Sequence, residues 1–289
     1  MNIAACVIVY HPNQEELQNL STYASKVNKV YVYDNTEASA CAFLRDQNNP
    51  KMVYYSDLEN KGLSVRLNQA CQQALADGFD FLLTMDQDSS FITANLDRYF
   101  EDITNFPNKE TVGLFNLQYS DKNLVVDPRE VLSQEVPTVI TSGSVINLKN
   151  YTQIGGFDEN LFIDGVDFDY CLAALKNGFK CIEFKNNYFK HRIGNKIKRR
   201  SFKTLYLVSK EKHLHAPIRL YYMIRNALYL EQKYYSVFPE YISEIKKSYK
   251  TQVQTNLNYT NNIFNFYKYQ FKAQSDFKNN RMGKFKGFN

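Results

Sequence analysis

The sequence predicts an α/β fold built on a mostly parallel sheet. Three observations carry that prediction. β-rich apolar runs alternate with helical segments of about 10–15 residues; the polar side chains collect just after each apolar run; and 289 residues with 44% hydrophobic content suffice for one large domain with an appendage, or two small domains.

Taken in order, IAACVIVY (3–10) is a β-rich run ended by His11-Pro12, and a polar helix starts at Pro12 or Asn13 and continues to about Lys26. KVYVYDN (29–35) alternates as a second strand, and MVYYS (52–56) reads as a third. A helix is expected from Gly62 to Asp77, stopped at Gly78, before a fourth strand, FDFLLTM (79–85), that runs into Asp86-Gln87-Asp88. Sheets of this kind bind ligands at the carboxyl ends of their strands. The polar clusters fall there: Tyr10-His11, Asp34-Asn35, Asp57 to Lys61 and Asp86 to Asp88.

An aspartate after a strand also makes turns and caps helices, so Asp34 or Asp57 alone decides little. The pair Asp86 and Asp88 is different, because a cap needs one carboxylate, whereas two can hold a divalent cation and orient a hydroxyl. Composition and motifs exclude several classes. There is no GxG, hence no dinucleotide fingerprint, and no GxxxxGK[ST] phosphate loop. No apolar run reaches the roughly 18–20 residues of a membrane span, and the N-terminus lacks the pattern of a secretory signal, so a cytoplasmic protein is expected. Five scattered cysteines (Cys6, Cys41, Cys71, Cys171, Cys181) with no CxxC pair read as reduced, mostly buried thiols, with neither disulfides nor zinc.

Charge divides the chain. Residues 1–184 carry 13 Lys/Arg against 25 Asp/Glu, a net of −12, whereas residues 185–289 carry 22 against 5, a net of +17. Two regions are therefore expected: an α/β domain over 1–200 and a helical, basic C-terminal extension over 201–289. Lys185 to Arg200, with seven basic residues and no acid, reads as a solvated or lipid-facing loop, or as a mobile lid. After Pro217 the positions Leu220, Met223, Ile224, Ala227 and Leu228 recur at helical spacing as one buried face, with Arg219, Tyr222, Arg225 and Asn226 elsewhere. From Tyr241 onward, lysines alternate with Tyr and Phe. That pattern suits a membrane surface at the inner face of the cytoplasmic membrane, with a homo-oligomer contact as the alternative.

The ordered pieces VIVYHP, VYDNT, NKGLSVRLNQA (60–70), LLTMDQDSS, TSGSVI (141–146), IGGFDENLFIDGVDFDYCLAAL (154–175), His191 with Gly194, and YYMIRN (221–226) resemble the family 2 glycosyltransferases of the GT-A fold. Within that family they are most similar to the rhamnosyltransferase-like branch. The resemblance implies a dTDP- or UDP-sugar donor, rhamnose first, and a cell-surface glycan or lipid-linked acceptor. It implies that Asp34 pairs with the base, that Asp86 faces the ribose, and that Asp88 coordinates Mg²⁺ or Mn²⁺ across the donor phosphates. Tyr10 also falls on the nucleotide side. Asn60-Lys61-Gly62 corresponds to the turn that approaches the donor, and Arg66, one helical turn on, to a phosphate ligand. His191 is a candidate metal or diphosphate ligand. In LFIDGVDFDYC the resemblance makes Asp167 the general base of an inverting transfer, with Asp164 as the alternative base and Asp169 as a helix N-terminal carboxylate. Here Val166 stands where the wider family has an acid.

Two other classes compete. DQDSS after an apolar strand nearly matches the nucleophile motif of haloacid-dehalogenase phosphatases, which would make Asp86 the nucleophile, although that motif normally ends the first strand rather than the fourth. The basic aromatic tail alone would also fit a nucleic-acid-binding module, a partner that the transferase reading does without.

Overall fold

The computed structural model describes residues 1–37, 49–124, 132–191, 196–200, 207–260 and 262–288. The chain forms two compact units, one of Met1–Glu159 with Val166–Arg192, the other of Asn160–Gly165 with Ile193–Asn289.

The first unit is a nine-stranded mixed sheet with helices. β1 (Ile3–Val9) lies between β2 (Lys29–Asp34) and β4 (Phe81–Asp86), parallel to both, and β3 (Met52–Ser56) pairs with β2 at the edge, also in parallel. β1 is almost wholly apolar because a central parallel strand is covered on both faces. Its odd-numbered residues Ile3, Ala5, Val7 and Val9 enter a core with Leu20, Tyr23, Leu96 and Tyr99. The expected helix up to Lys26 starts at Asn13 through a reciprocal cap with Glu16, then breaks into α1 (Gln14–Asn19) and α2 (Ser21–Ala24). Ser21 and Thr22 hydroxyls donate to the carbonyls of Gln18 and Asn19 at 2.7 and 2.6 Å, a local competition that favours such a break. α3 (Gly62–Ala76) and α4 (Thr93–Asn105) follow β3 and β4.

Register does the placing. Val9 is opposite Asp34, Asp34 opposite Ser56, and Ile8 opposite Asp86, so the ends of four parallel strands meet along one edge. Beyond β4 the order continues through β8 (Ser144–Asn147) and β6 (Val112–Ser120) to β9 (Lys180–His191). The two-residue β5 (Ser89–Ser90) and β7 (Ser133–Glu135) both pair with β9. α5 (Leu148–Ile154) and α6 (Val166–Lys176) complete the unit.

The Lys185–Arg200 stretch is not the loop expected from its charge. β9 continues through to His191, and β10 (Lys196–Arg200) is a strand; residues 192–195, with Gly194, lie outside the described residues, as does Cys41. Alternation explains the strand. Asn187 and Phe189 are buried while Lys190 points outward, and the nine-residue β6 supplies partners as far as Lys190. Cys6, Cys71, Cys171 and Cys181 are buried free thiols.

In the second unit β10 pairs antiparallel with β11 (Ser209–His213), and α7 (Pro217–Tyr234), α8 (Pro239–Tyr259) and α9 (Ile263–Lys278) follow. Proline opens α7 and α8, where its missing N–H costs nothing. α7 buries a different face from the one expected, with Ile224, Ala227 and Leu228 only partly covered. Leu220 and Met223 are inside, yet so are Tyr222, Asn226 and Arg225, the last at 0% exposure. Periodicity missed them because each polar group finds a partner. Arg225 donates to Tyr221 Oη at 3.0 Å and to the carbonyls of Arg281 and Gly283 at 3.3 and 2.8 Å, with the rings of Tyr221 and Tyr222 5.0 and 5.2 Å away. Asn226 Nδ2 donates to the carbonyls of Ile163 and Asp164 at 2.8 and 2.7 Å. Among the described residues no helix is long and apolar enough to cross a membrane.

Gly143 precedes β8 with φ at +75°, and a Cβ there would meet Phe189 Cε1 at 2.7 Å. Gly143→Ala should therefore destabilise the protein by about 2–3 kcal/mol, read by denaturant unfolding, from backbone strain and overpacking together. Adding Phe189→Leu should recover part of that loss if the ring clash contributes, and none of it if the backbone angle alone is responsible.

Candidate active site

At the end of β4 the chain turns through Asp86-Gln87-Asp88, and the middle residue fastens that turn. Gln87 Oε1 accepts from the Tyr10 N–H at 2.7 Å while its Nε2 donates to the Tyr10 carbonyl at 3.3 Å and to Glu16 Oε2 at 3.0 Å. Asn19 Nδ2 donates to the Gln87 carbonyl at 2.9 Å. The turn after the fourth strand is thus tied to the loop after the first.

The short β5 fixes the other side. Pairing of Ser89 with His191 brings the last residue of β9, about a hundred positions away in sequence, to the acidic turn. Asp86, Asp88 and His191 each offer a ligand atom within 4.8 Å of the others. Asp88 Oδ1 lies 3.4 Å from His191 Nδ1 and is buried without a hydrogen bond. Burial pulls the His191 pKa down, but the contact with Asp88 and the charges of Asp86 and Asp88 outweigh it and leave the imidazole above its ordinary value.

A buried carboxylate oxygen without a donor, a second carboxylate and an imidazole form a donor set that suits a divalent cation keeping water or phosphate as its remaining ligands. The residues present fit the Mg²⁺ or Mn²⁺ expected here. A row of hydroxyls stands behind them. The Asp86 N–H donates to Ser142 Oγ at 3.1 Å, Ser142 Oγ lies 2.8 Å from Ser89 Oγ, and Ser89 Oγ lies 2.7 Å from His191 Nδ1. Both serines are buried. Neither was singled out in the sequence, although both lie in stretches, DSS and TSGS, whose small hydroxyl residues were the available signal.

The residues expected on the nucleotide side are distributed along the same edge. Tyr10 is 46% exposed, its ring edge-on to His11 at 4.4 Å. Asn60 Oδ1 accepts from the Gly62 N–H at 3.0 Å, in a turn where Gly62 has φ at +80°, a conformation glycine adopts without strain. Asp34 is fully buried: its Oδ1 accepts from Thr36 N at 2.8 Å and its Oδ2 from Tyr54 Oη at 2.6 Å. For Asp34 to pair with a base, the Tyr54 hydroxyl has to give way.

Arg66 is 2% exposed. Its guanidinium donates to Asp57 Oδ1 and Oδ2 at 2.5 and 3.1 Å, to Asn35 Oδ1 at 2.8 Å, to Gln69 Oε1 at 3.0 Å and to the Glu59 carbonyl at 2.9 Å. Hydrogen bonds from Arg66 hold the Asp57 carboxyl far below the usual carboxylate range. A phosphate that reached Arg66 would have to displace Asp57. In this structure Arg66 joins the loop after β2 to the loop after β3.

Asp167 stands in the first turn of α6, half-buried, with Oδ1 accepting from the Phe168 N–H at 3.0 Å. It lines a small cavity with Thr84 of β4, Thr141 and Ser144. The strands behind that cavity also carry Asp86 and follow Ser142. Asp164, in the second unit, has φ at +64°, and Arg219 holds both its oxygens, Nε at 3.1 and 3.2 Å and Nη2 at 3.0 Å. Asp169 is buried in the first turn of α6.

No protein-family model matches the chain. A curated relative, the dTDP-rhamnosyl transferase RfbF of Shigella flexneri, is 25% identical over 247 residues, covering 80% of each chain. Among solved structures, S. aureus TarS 1–349 in complex with UDP-GlcNAc superposes with a TM-score of 0.57 at 15% identity, over 96% of this chain and 80% of that one. GalNAc-T7 with UDP, GalNAc and Mn²⁺ gives 0.60 at 10% identity over 96% of this chain. This chain spans 57% of GalNAc-T7 and 48% of a longer TarS chain. The sheet and its helices are the GT-A arrangement expected from the ordered motifs.

Ser142→Ala cuts the row of hydroxyls without touching a ligand atom. It should lower Mn²⁺ affinity by up to roughly tenfold, because it frees the Ser89 hydroxyl that bonds the His191 imidazole and leaves the Asp86 N–H without its acceptor. Paramagnetic resonance of the Mn²⁺ titration reads this directly; unchanged affinity would mean that the serines only pack.

Proposed function

We propose that this chain, a glycosyltransferase of the GT-A fold, is an inverting, metal-dependent enzyme that moves rhamnose from a dTDP-linked donor onto a cell-surface glycan or lipid-linked acceptor in the cytoplasm. The observation that carries this reading is the cluster of Asp86, Asp88 and His191 at the sheet edge, with a buried Asp88 oxygen that lacks a donor. Rhamnose and the thymidine nucleotide are favoured by the name of the curated relative; a UDP-sugar is the alternative, by the ligands of the TarS and GalNAc-T7 structures.

A divalent cation held by Asp88 and His191, with Asp86 beside it, would neutralise charge on the nucleoside diphosphate as it leaves. The nucleoside would lie along Tyr10 and the Asn60–Gly62 turn, with Asp86 toward the ribose and Asp34 and Arg66 shaping the floor. Asp167 would take the proton of the acceptor hydroxyl onto a carboxylate oxygen. The acceptor oxygen then bonds to the anomeric carbon as the bond to the phosphate oxygen breaks on the opposite face, so configuration inverts. Asp167 is preferred to Asp164 because the Arg219 guanidinium occupies both Asp164 oxygens and stands between them and an incoming hydroxyl. The phosphatase reading of Asp86 is not carried forward: the chain is a glycosyltransferase, and this aspartate ends the fourth strand.

The reading is tested by binding and slow hydrolysis of a panel of dTDP- and UDP-sugars with and without Mn²⁺. At least one should bind more tightly with metal; if none does, the proposal fails. Asp167→Asn should lower transfer by roughly a thousandfold or more while donor affinity stays within about twofold, the signature of a lost general base. Asp88→Asn should instead weaken metal-dependent donor binding. The reverse pattern would exchange the two roles.

A further inference from the structure

α9 has two faces that both carry aromatic rings, and only one of them is used by the fold. Phe266 and Ala273 are buried against α7, with Leu220 and Met223 beside Phe266 and with Tyr221 and Tyr222 beside Ala273. Phe264, Tyr267 and Phe271 recur at helical spacing on the opposite side, and Phe264 is 85% and Phe271 67% exposed. A solvent-facing helix does not need two phenylalanines so exposed, and a row of them is the kind of surface that marks an interaction site.

Charge selects the occupant. Between Ile263 and Phe288 the chain has six Lys/Arg, including Lys268 and Lys278 beside the aromatic row, and a single acid, Asp276. That acid is buried, accepting from Tyr221 Oη at 2.9 Å with Lys272 Nζ 3.2 Å away, so it offers nothing to a partner. A second copy of this chain docking through the same face would bring like charge against like. An anionic lipid surface answers both features: the rings enter the boundary between headgroups and acyl chains, and the lysines remain among the phosphates.

We propose that the outer face of α9, centred on Phe264, Tyr267 and Phe271, docks the protein on anionic membrane. The inference goes beyond the transferase reading and does not depend on it.

The test is co-sedimentation of the full chain with phosphatidylcholine vesicles, alone or mixed with phosphatidylglycerol. The wild type should pellet with the anionic vesicles and stay in solution with the neutral ones. F264Q/F271Q removes only exposed rings, so its thermal unfolding should match the wild type, and its vesicle affinity should fall by roughly tenfold or more. K268E/K278E should lower binding similarly and make the remainder less sensitive to salt than that of the wild type. The proposal is overturned if the wild type ignores anionic vesicles, or if F264Q/F271Q binds them as well as the wild type does. It is equally overturned if the exposed rings instead sustain a concentration-dependent dimer in ultracentrifugation, or affinity for single-stranded nucleic acid, that the phenylalanine variant abolishes. Donor-sugar hydrolysis, measured on the same preparations, should be the same for wild type and variants, which separates failure of this proposal from failure of the transferase reading.

Discussion

Two carboxylates held within 4.8 Å of each other repel by about 3–4 kcal/mol at an effective dielectric constant near 20, and the first unit is organised around holding Asp86 and Asp88 in place against that force. Neither aspartate does so by itself. Gln87 ties the turn to both backbone polar groups of Tyr10, Asn19 takes its carbonyl, and the Ser89–His191 pairing fastens its far side. Each such bond contributes only about 1 kcal/mol net, so several are needed. The imidazole takes up part of the remaining field, which is why its proton is held more firmly than burial alone would allow. On the proposed reading a divalent cation takes up the rest.

The same economy of charge explains the state of Arg66. Residues 1–184 carry a net of −12, and on the proposed reading a nucleoside diphosphate would bring further negative charge to the sheet edge. A buried guanidinium in that setting would be expected to point at the ligand. Instead Asp57 binds it through both oxygens, and the loops after β2 and β3 close over it. An arginine already neutralised by a carboxylate adds little attraction for phosphate, so on the proposed reading most of the attraction for a diphosphate would fall to a cation held by the acidic turn.

Much of this was legible in the sequence because it depended on local pattern. The first four strands read from apolar runs and turn residues fall within one or two residues of those in the structure at most of their ends, and parallel register then carries Asp34, Ser56 and Asp86 to one edge without further information. The closure of the site was not legible. β5 has two residues, too few for any periodicity, and its partner lies about a hundred positions away. Ser142 reaches Asp86 only because β8 runs antiparallel beside β4. The first half of β9 was legible as a strand in FKCIEF, whereas its continuation to His191 was hidden by Lys185 and Lys190. Arg225 and Asn226 read as surface residues because a periodicity argument counts apolar side chains and cannot see that the carbonyls of residues 163, 164, 281 and 283 are waiting for donors.

The second unit meets the opposite electrostatic problem. Residues 193–289 carry 19 Lys/Arg against 5 Asp/Glu, and the unit buries one of each close together: Arg225 donates to Tyr221 Oη, and that hydroxyl donates to Asp276. The tyrosine between them links a guanidinium and a carboxylate in the interior without direct contact; Arg225 completes its bonds on the carbonyls after α9, and Asp276 has Lys272 of the same helix as an ion-pair neighbour at 3.2 Å. Using the only acid of α9 in this way leaves no negative charge on that helix's outer face. The arrangement that anchors α9 to α7 therefore also makes the exposed aromatic row uniformly basic, so packing inside the unit and attraction to an anionic surface outside it follow from the placement of one aspartate.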